Sequence, residues 1–168
     1  LTLEIRKLGD LLLRERSREV EEIDQEIKGL IEAMGETLQS VPGRVGLAAP
    51  QVGVLKRLFA YDLGHGVRGI INPSIIDSEG EKVCEEGCLS VPGVFVSLPR
   101  YDRVMMRCTT PSGHNIVIEA QGFLAQVFQH ECDHLDGVLT IDRCDEEERR
   151  RALEEYQNLE LQREQGSA

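Results

Sequence analysis

Tryptophan is absent from this 168-residue chain, and four Phe with three Tyr are its only aromatic residues. A core of this composition must be largely aliphatic. No run approaches the roughly 20 consecutive apolar residues that a membrane-spanning helix requires. Leu1 to Asp10 carries Glu4, Arg6 and Lys7 and lacks the apolar stretch of a secretion signal. Positive charge is also short: 19 Lys and Arg stand against 30 Asp and Glu, a formal charge of −11. That balance favours solubility and argues against broad electrostatic binding to nucleic acid or an anionic membrane. The five cysteines, Cys84, Cys88, Cys108, Cys132 and Cys144, are odd in number and do not suggest a disulfide framework. Reduced thiols in a cytoplasm-like compartment are expected, with one or more free to bind metal.

What is present is ordinary globular material, 40% apolar and 29% charged. One domain over residues 1–168 is expected, with about 145–168 as a charged helical tail. Ile23, Ile27, Leu30, Ile31, Met34 and Leu38 recur at helical spacing and predict a helix over Glu21 to Gln39, closed by Pro42 and Gly43. Strands are expected at Leu58 to Asp62, at Gly69 to Asn72 with Pro73 as a stop, at Val94 to Leu98 and at Val104 to Cys108. Pro111 to His114 reads as a hairpin turn, with Asn115 to Ala120 as the returning strand. From Gly122 to Leu135 the period changes to that of a helix, and Gly137 offers its stop. A last charged helix is expected from about Glu146 to Gln165. The fold class is therefore α+β: mixed or antiparallel sheets around a central helix, with a helix at each end.

His130-Glu131-Cys132-Asp133-His134 is the most informative segment. On a helix, His130 and His134 lie one turn apart on one face, so both imidazoles can reach one metal ion. A metal supplies a Lewis acid and lowers the pKa of its water; the adjacent Glu131 can take that proton and return it to a leaving group. A catalytic site needs a third protein ligand. The metzincin pattern fails because position 140 is Thr. Glu154 lies about twenty residues downstream, the thermolysin-like spacing, but in a tail dense with Glu. A cysteine thiolate from elsewhere is the other candidate, and Cys88 has the most unusual setting. Cys132 should leave the helix on a different face. A non-catalytic zinc domain would need four protein ligands and would have no use for Glu131.

Three segments resemble the signature motifs of the peptide deformylase family: Gly46-Leu47-Ala48-Ala49-Pro50-Gln51, Glu86-Gly87-Cys88-Leu89-Ser90 and Gln129-His130-Glu131-Cys132-Asp133-His134. Their order and spacing agree, as do Ile71-Asn72-Pro73 and Leu135-Asp136-Gly137-Val138-Leu139. The resemblance implies hydrolysis of the formyl group from the N-terminal formyl-methionine of new polypeptides. It implies Cys88, His130 and His134 as ligands of one divalent ion, Fe2+ in cells and Zn2+, Ni2+ or Co2+ as purified. Glu131 would be the general base and acid, with Gln51 and the Leu89 N–H as the oxyanion hole. Val45, Gly46 and Gly87 would meet the substrate backbone, and Phe123 and Val127 its methionine side chain. Arg100 and Glu86 read either as an ion pair behind the second motif or as two solvated charges, the commoner fate of such residues. Arg44, Gln126 and Leu11 depart from the family pattern; the first two bear on substrate preference and leave the chemistry alone. A bacterial-type cytoplasm is the implied location, with a processed organelle form as the alternative. The implied partners are formyl-methionyl nascent peptides and transient proximity to the ribosome. From Asp145 to Ala168, however, eight acidic residues stand against four basic ones, which predicts a solvated helix and no phosphate-binding tail.

Overall fold

The computed structural model describes residues 1–166. Helix α1 spans Gln25–Gln39. It starts four residues later than the spacing predicts because Asp24 caps it, its side chain accepting from Ile27 N. The residues before it are held extended: Val20 N donates to the Asn72 side chain, whose amide donates back to Val20 O.

Five strands follow: β1 (Gly46–Ala48), β2 (Leu58–Tyr61), β3 (Arg68–Cys88), β4 (Val91–Thr109) and β5 (Asn115–Gln121). They form one sheet in sequence order, antiparallel at every pair. The α+β expectation holds, and the antiparallel option is the one taken.

Two strand boundaries need correction. Pro73 does not stop β3; the register shifts between Ile71 and Ser74, and the strand continues. Proline cannot donate to the ladder, and here that cost is met by a bulge, with Asn72 at φ 50°. The segments at Val94 and Val104 are parts of one strand. Val94, Val96, Leu98 and Arg100 are buried in alternation, so a guanidinium takes the next inward position after three aliphatic side chains.

Helix α2 (Gly122–Leu135) follows β5 directly and touches all five strands. It ends at Asp136, with Gly137 beyond at φ 74°. Between α2 and the sheet, Phe59, Tyr61 and Phe128 stack with ring centroids 5.3 to 6.3 Å apart. Three of the seven aromatic residues thus meet in one cluster, and aliphatic side chains fill the rest. Helix α1 packs a second cluster, including Ile31, Met34 and Leu38, against Leu47 and Leu58.

After a short turn, α3 (Thr140–Arg143), the chain ends in α4 (Glu146–Gly166). Most of α4 is exposed or half-buried, as expected of a solvated helix, with two exceptions. Ala152 and Tyr156, four residues apart, are buried against β4 with Val94 and Val96. Two small apolar contacts are easily lost in a run so rich in charge. No described helix is long and apolar enough to cross a membrane. All five cysteines are free thiols.

Candidate metal centre and its cavity

The turn Leu89–Ser90 joins β3 to β4 and leaves Cys88 at the end of β3, paired with Val91. Helix α2 presents His130 and His134 one turn apart opposite this strand end. The His134 and His130 Nε2 atoms are 3.2 Å apart, and Cys88 Sγ lies 3.4 Å from His134 Nε2. All three donor atoms fall within 4.8 Å of one another. Tetrahedral coordination, with metal–N near 2.1 Å and metal–S near 2.3 Å, needs N···N of about 3.4 Å and S···N of about 3.6 Å. The His130–His134 and Cys88–His134 separations of 3.2 and 3.4 Å each come within about 0.2 Å of those values. Glu154, the alternative third ligand, is an exposed residue on α4 outside this cluster. The metallopeptidase reading that relied on it is therefore set aside.

Behind His130 lies a buried charged chain. His130 Nδ1 is 2.8 Å from Glu86 Oε1. Arg100 grips Glu86 with two bonds of 2.8 and 2.9 Å and donates to Asp133 at 2.7 Å. Arg143 closes the chain on Asp133 from outside. Arg100 and Glu86 are 4% and 6% exposed, so they are a buried pair and the solvated alternative is wrong. Burial works against the Glu86 carboxylate, but hydrogen bonds from Arg100 and His130 outweigh it and bring its pKa down to about 2. An ionised partner on Nδ1 leaves Nε2 as the free donor to a metal.

Glu131 contrasts with this. It is buried, and its Oε1 has no hydrogen-bond partner among the described residues. Burial pushes its carboxyl pKa up. A Cβ on Gly46 would stand 2.6 Å from Glu131 Oε2, so only glycine leaves room for the carboxylate there.

Gln51 is buried in the short turn Ala49–Val52 after β1. Its Oε1 accepts from Ala48 N at 2.9 Å, while its Nε2 donates to Ser90 Oγ at 3.1 Å and lies 3.8 Å from Cys88 Sγ. The acceptor end closes a turn and the donor end faces the cysteine.

These groups open onto a cavity of about 520 Å³. Val45, Gly46, Gly87, Leu89, Phe123 and Val127 all line it, as do Gln51, Cys88, His130 and Glu131. His134 lies deeper. Cys132 leaves α2 on the other face, as its position requires, and lines a separate polar cavity; burial pushes its thiol well up.

Sequence reasoning gave no role to Ser90 and Asp133, which stand within the motifs, and did not single out Arg143 or Phe95. Phe95 forms part of the cavity wall, its ring 2.8 Å from where a Gly87 Cβ would be. The bond from Glu86 to His130 had a usable signal. Glu86 is two residues from Cys88, close enough in sequence to reach the same site, although the β3–β4 register shifts between them.

The family model described as polypeptide deformylase matches residues 2–150. The chain is 50% identical over 139 residues to the peptide deformylase of Clostridium botulinum, covering 83% of this chain and 94% of that one. Its fold superposes on the crystal structure of a peptide deformylase from Legionella pneumophila with a TM-score of 0.91 at 36% identity, covering 97% and 98% of the two chains. It also superposes on peptide deformylase from Ehrlichia chaffeensis in complex with actinonin, with a TM-score of 0.88 at 36% identity over 95% and 98%.

Proposed function

The chain belongs to the peptide deformylase family, and from that premise we propose how its own residues divide the metal-dependent removal of the formyl group from new polypeptides. Cys88, His130 and His134 hold one divalent ion. One thiolate with two imidazoles suits iron, zinc, nickel and cobalt, and ferrous iron is the proposed occupant in the cell. When bound, the ion supplies a Lewis acid beside the formamide carbonyl and lowers the pKa of water at that spot.

Glu131 takes a proton from the attacking water and delivers it to the departing amine of methionine. Its burial and missing partner favour both transfers, because no competing hydrogen bond holds the carboxylate in one state. Gln51 Nε2 and the Leu89 N–H donate to the carbonyl oxygen as it gains negative charge. Val45 and Gly46 on one side and Gly87 on the other approach the peptide backbone, and Phe123 and Val127 wall the methionine pocket. Helix α2 is the support around which these parts are organised. The substrates are formyl-methionyl nascent chains in a bacterial-type cytoplasm, and nearness to the ribosome is transient and follows from the substrate.

The single observation that carries this reading is a buried Glu131 whose Oε1 has no hydrogen-bond partner among the described residues, beside three convergent ligand atoms. Structural metal sites are closed by four protein ligands and need no such neighbour. The test is formate release from formyl-Met-Ala-Ser by anaerobically prepared protein, with metal content measured on the same samples. Glu131→Ala is expected to keep metal and lose turnover by at least about 100-fold. Cys88→Ala is expected to lose the metal. A metal-loaded wild type that releases no formate would sink the proposal.

A further inference from the structure

Glu86 and Glu131 line the buried part of the catalytic cavity, but its accessible rim departs from the acidity of the chain. Its exposed or half-buried cations are Lys7 and Arg44, and its one exposed carboxylate is Glu85, on the β3 side near Gln126, whose amide donates to the Glu85 carbonyl at 3.3 Å. Lys7 Nζ donates to Ile5 O. Arg44 Nη1 is pinned to Thr37 O at 2.8 Å and to Ser40 Oγ at 3.3 Å. Neither makes an ion pair with a carboxylate among the described residues. Elsewhere arginines such as Arg14, Arg103 and Arg151 do pair with carboxylates. The two cations at the mouth are held by neutral oxygens, Arg44 by the last turn of α1.

Their place follows from the strand they flank. Strand β1 pairs with β2 only, and Asp62 N donates to Val45 O, so the ladder continues one residue outward. Gly46 sits against Glu131, at the reacting centre. Arg44 is two residues further out, about 7 Å along an extended chain. A peptide running outward along the free edge of β1 therefore brings its next residues past Arg44. Lys7 reaches the same cavity from the N-terminal segment, which runs beside the Leu89–Ser90 turn through Leu8 N to Ser90 O at 2.8 Å.

We propose that Arg44 and Lys7 make this cavity select formyl-methionyl peptides with a carboxylate side chain in the two residues after methionine. The inference rests on the deformylase reading. The contact forms with substrate bound and does not change as the formyl bond breaks, so it acts on KM and leaves kcat alone. Exposed charge pairs are individually weak and screened by salt, which bounds the effect to about three- to tenfold for the two together.

The experiment compares the amidated peptides formyl-Met-Ala-Asp, formyl-Met-Ala-Ser and formyl-Met-Ala-Lys, at low and high salt, using the metal-loaded enzyme. KM for the Asp peptide is expected below that for the Lys peptide by about three- to tenfold at low salt, with equal kcat. High salt should shrink the difference. Arg44→Lys should keep the preference, and the Lys7→Glu, Arg44→Glu double variant should reverse it. Should Arg44→Glu disturb the turn, Lys7→Glu alone still has to weaken the preference. Equal KM values at low salt, or an unchanged preference in the double variant, would overturn the inference while formate release keeps the deformylase reading. Release from none of the three peptides would overturn both.

Discussion

Two buried glutamates flank His130, and they are in opposite conditions. Glu86 is gripped by Arg100 and bonded to His130, and its pKa lies near 2. Glu131, next to His130 in sequence, has an oxygen without a partner and a raised pKa. Both are carboxylates at similar depth; their neighbours separate them. A carboxylate that is fully bonded can fix the orientation of another group, and one left unbonded can exchange protons. The wall behind α2 is thus built for position and the wall facing the cavity for chemistry.

The most damaging way to break this contrast is to remove the shared cation. Arg100→Met leaves Glu86 and Asp133 buried without their guanidinium and should cost about 3–5 kcal/mol, read from urea unfolding of the metal-free protein. A loss below about 1 kcal/mol would mean that Arg143 or solvent takes over the pairing. Next in size is Glu86→Gln, which weakens the brace on His130. Metal affinity should fall about 10- to 100-fold in a competition titration, while turnover per bound ion changes little. Unchanged affinity would show that Glu86 serves the fold alone. The smallest effect sharpens the comparison from the other side. Glu131→Gln removes a buried charge whose desolvation outweighs its attraction to His130 and His134, so thermal stability should stay within about 1 kcal/mol of wild type, or rise, although activity is lost. A large destabilisation would assign Glu131 a structural bond that the contrast denies.

Much of the site was legible because its parts are local. His130, Glu131 and His134 share one helical turn, and their spacing alone predicts a common ligand face. The range Gly122–Leu135 was readable to the residue, since a change of period and a terminal glycine mark both ends. Less legible was anything that depends on distant partners. Arg100 looks like a surface charge until Glu86 and Asp133 are brought to it from β3 and α2. Pro73 looks like a stop until the bulge accommodates it. Ala152 and Tyr156 look incidental in a charged run until β4 covers them.

By itself, the sequence determined the α+β class, the aliphatic core, the pair of histidines with the glutamate between them, and the family. Each is a matter of composition, of a short period or of a motif, and none needs two distant segments to meet. Residue spacing left Cys88 and Glu154 open as partners of the histidines, and the tertiary structure places Cys88 beside them and Glu154 outside that cluster on α4. It also decided which of two buried glutamates is paired and which is free. Ligand geometry and carboxylate pKa depend on distances of a few ångströms between side chains from different elements, and only the packing of sheet against helix sets those distances.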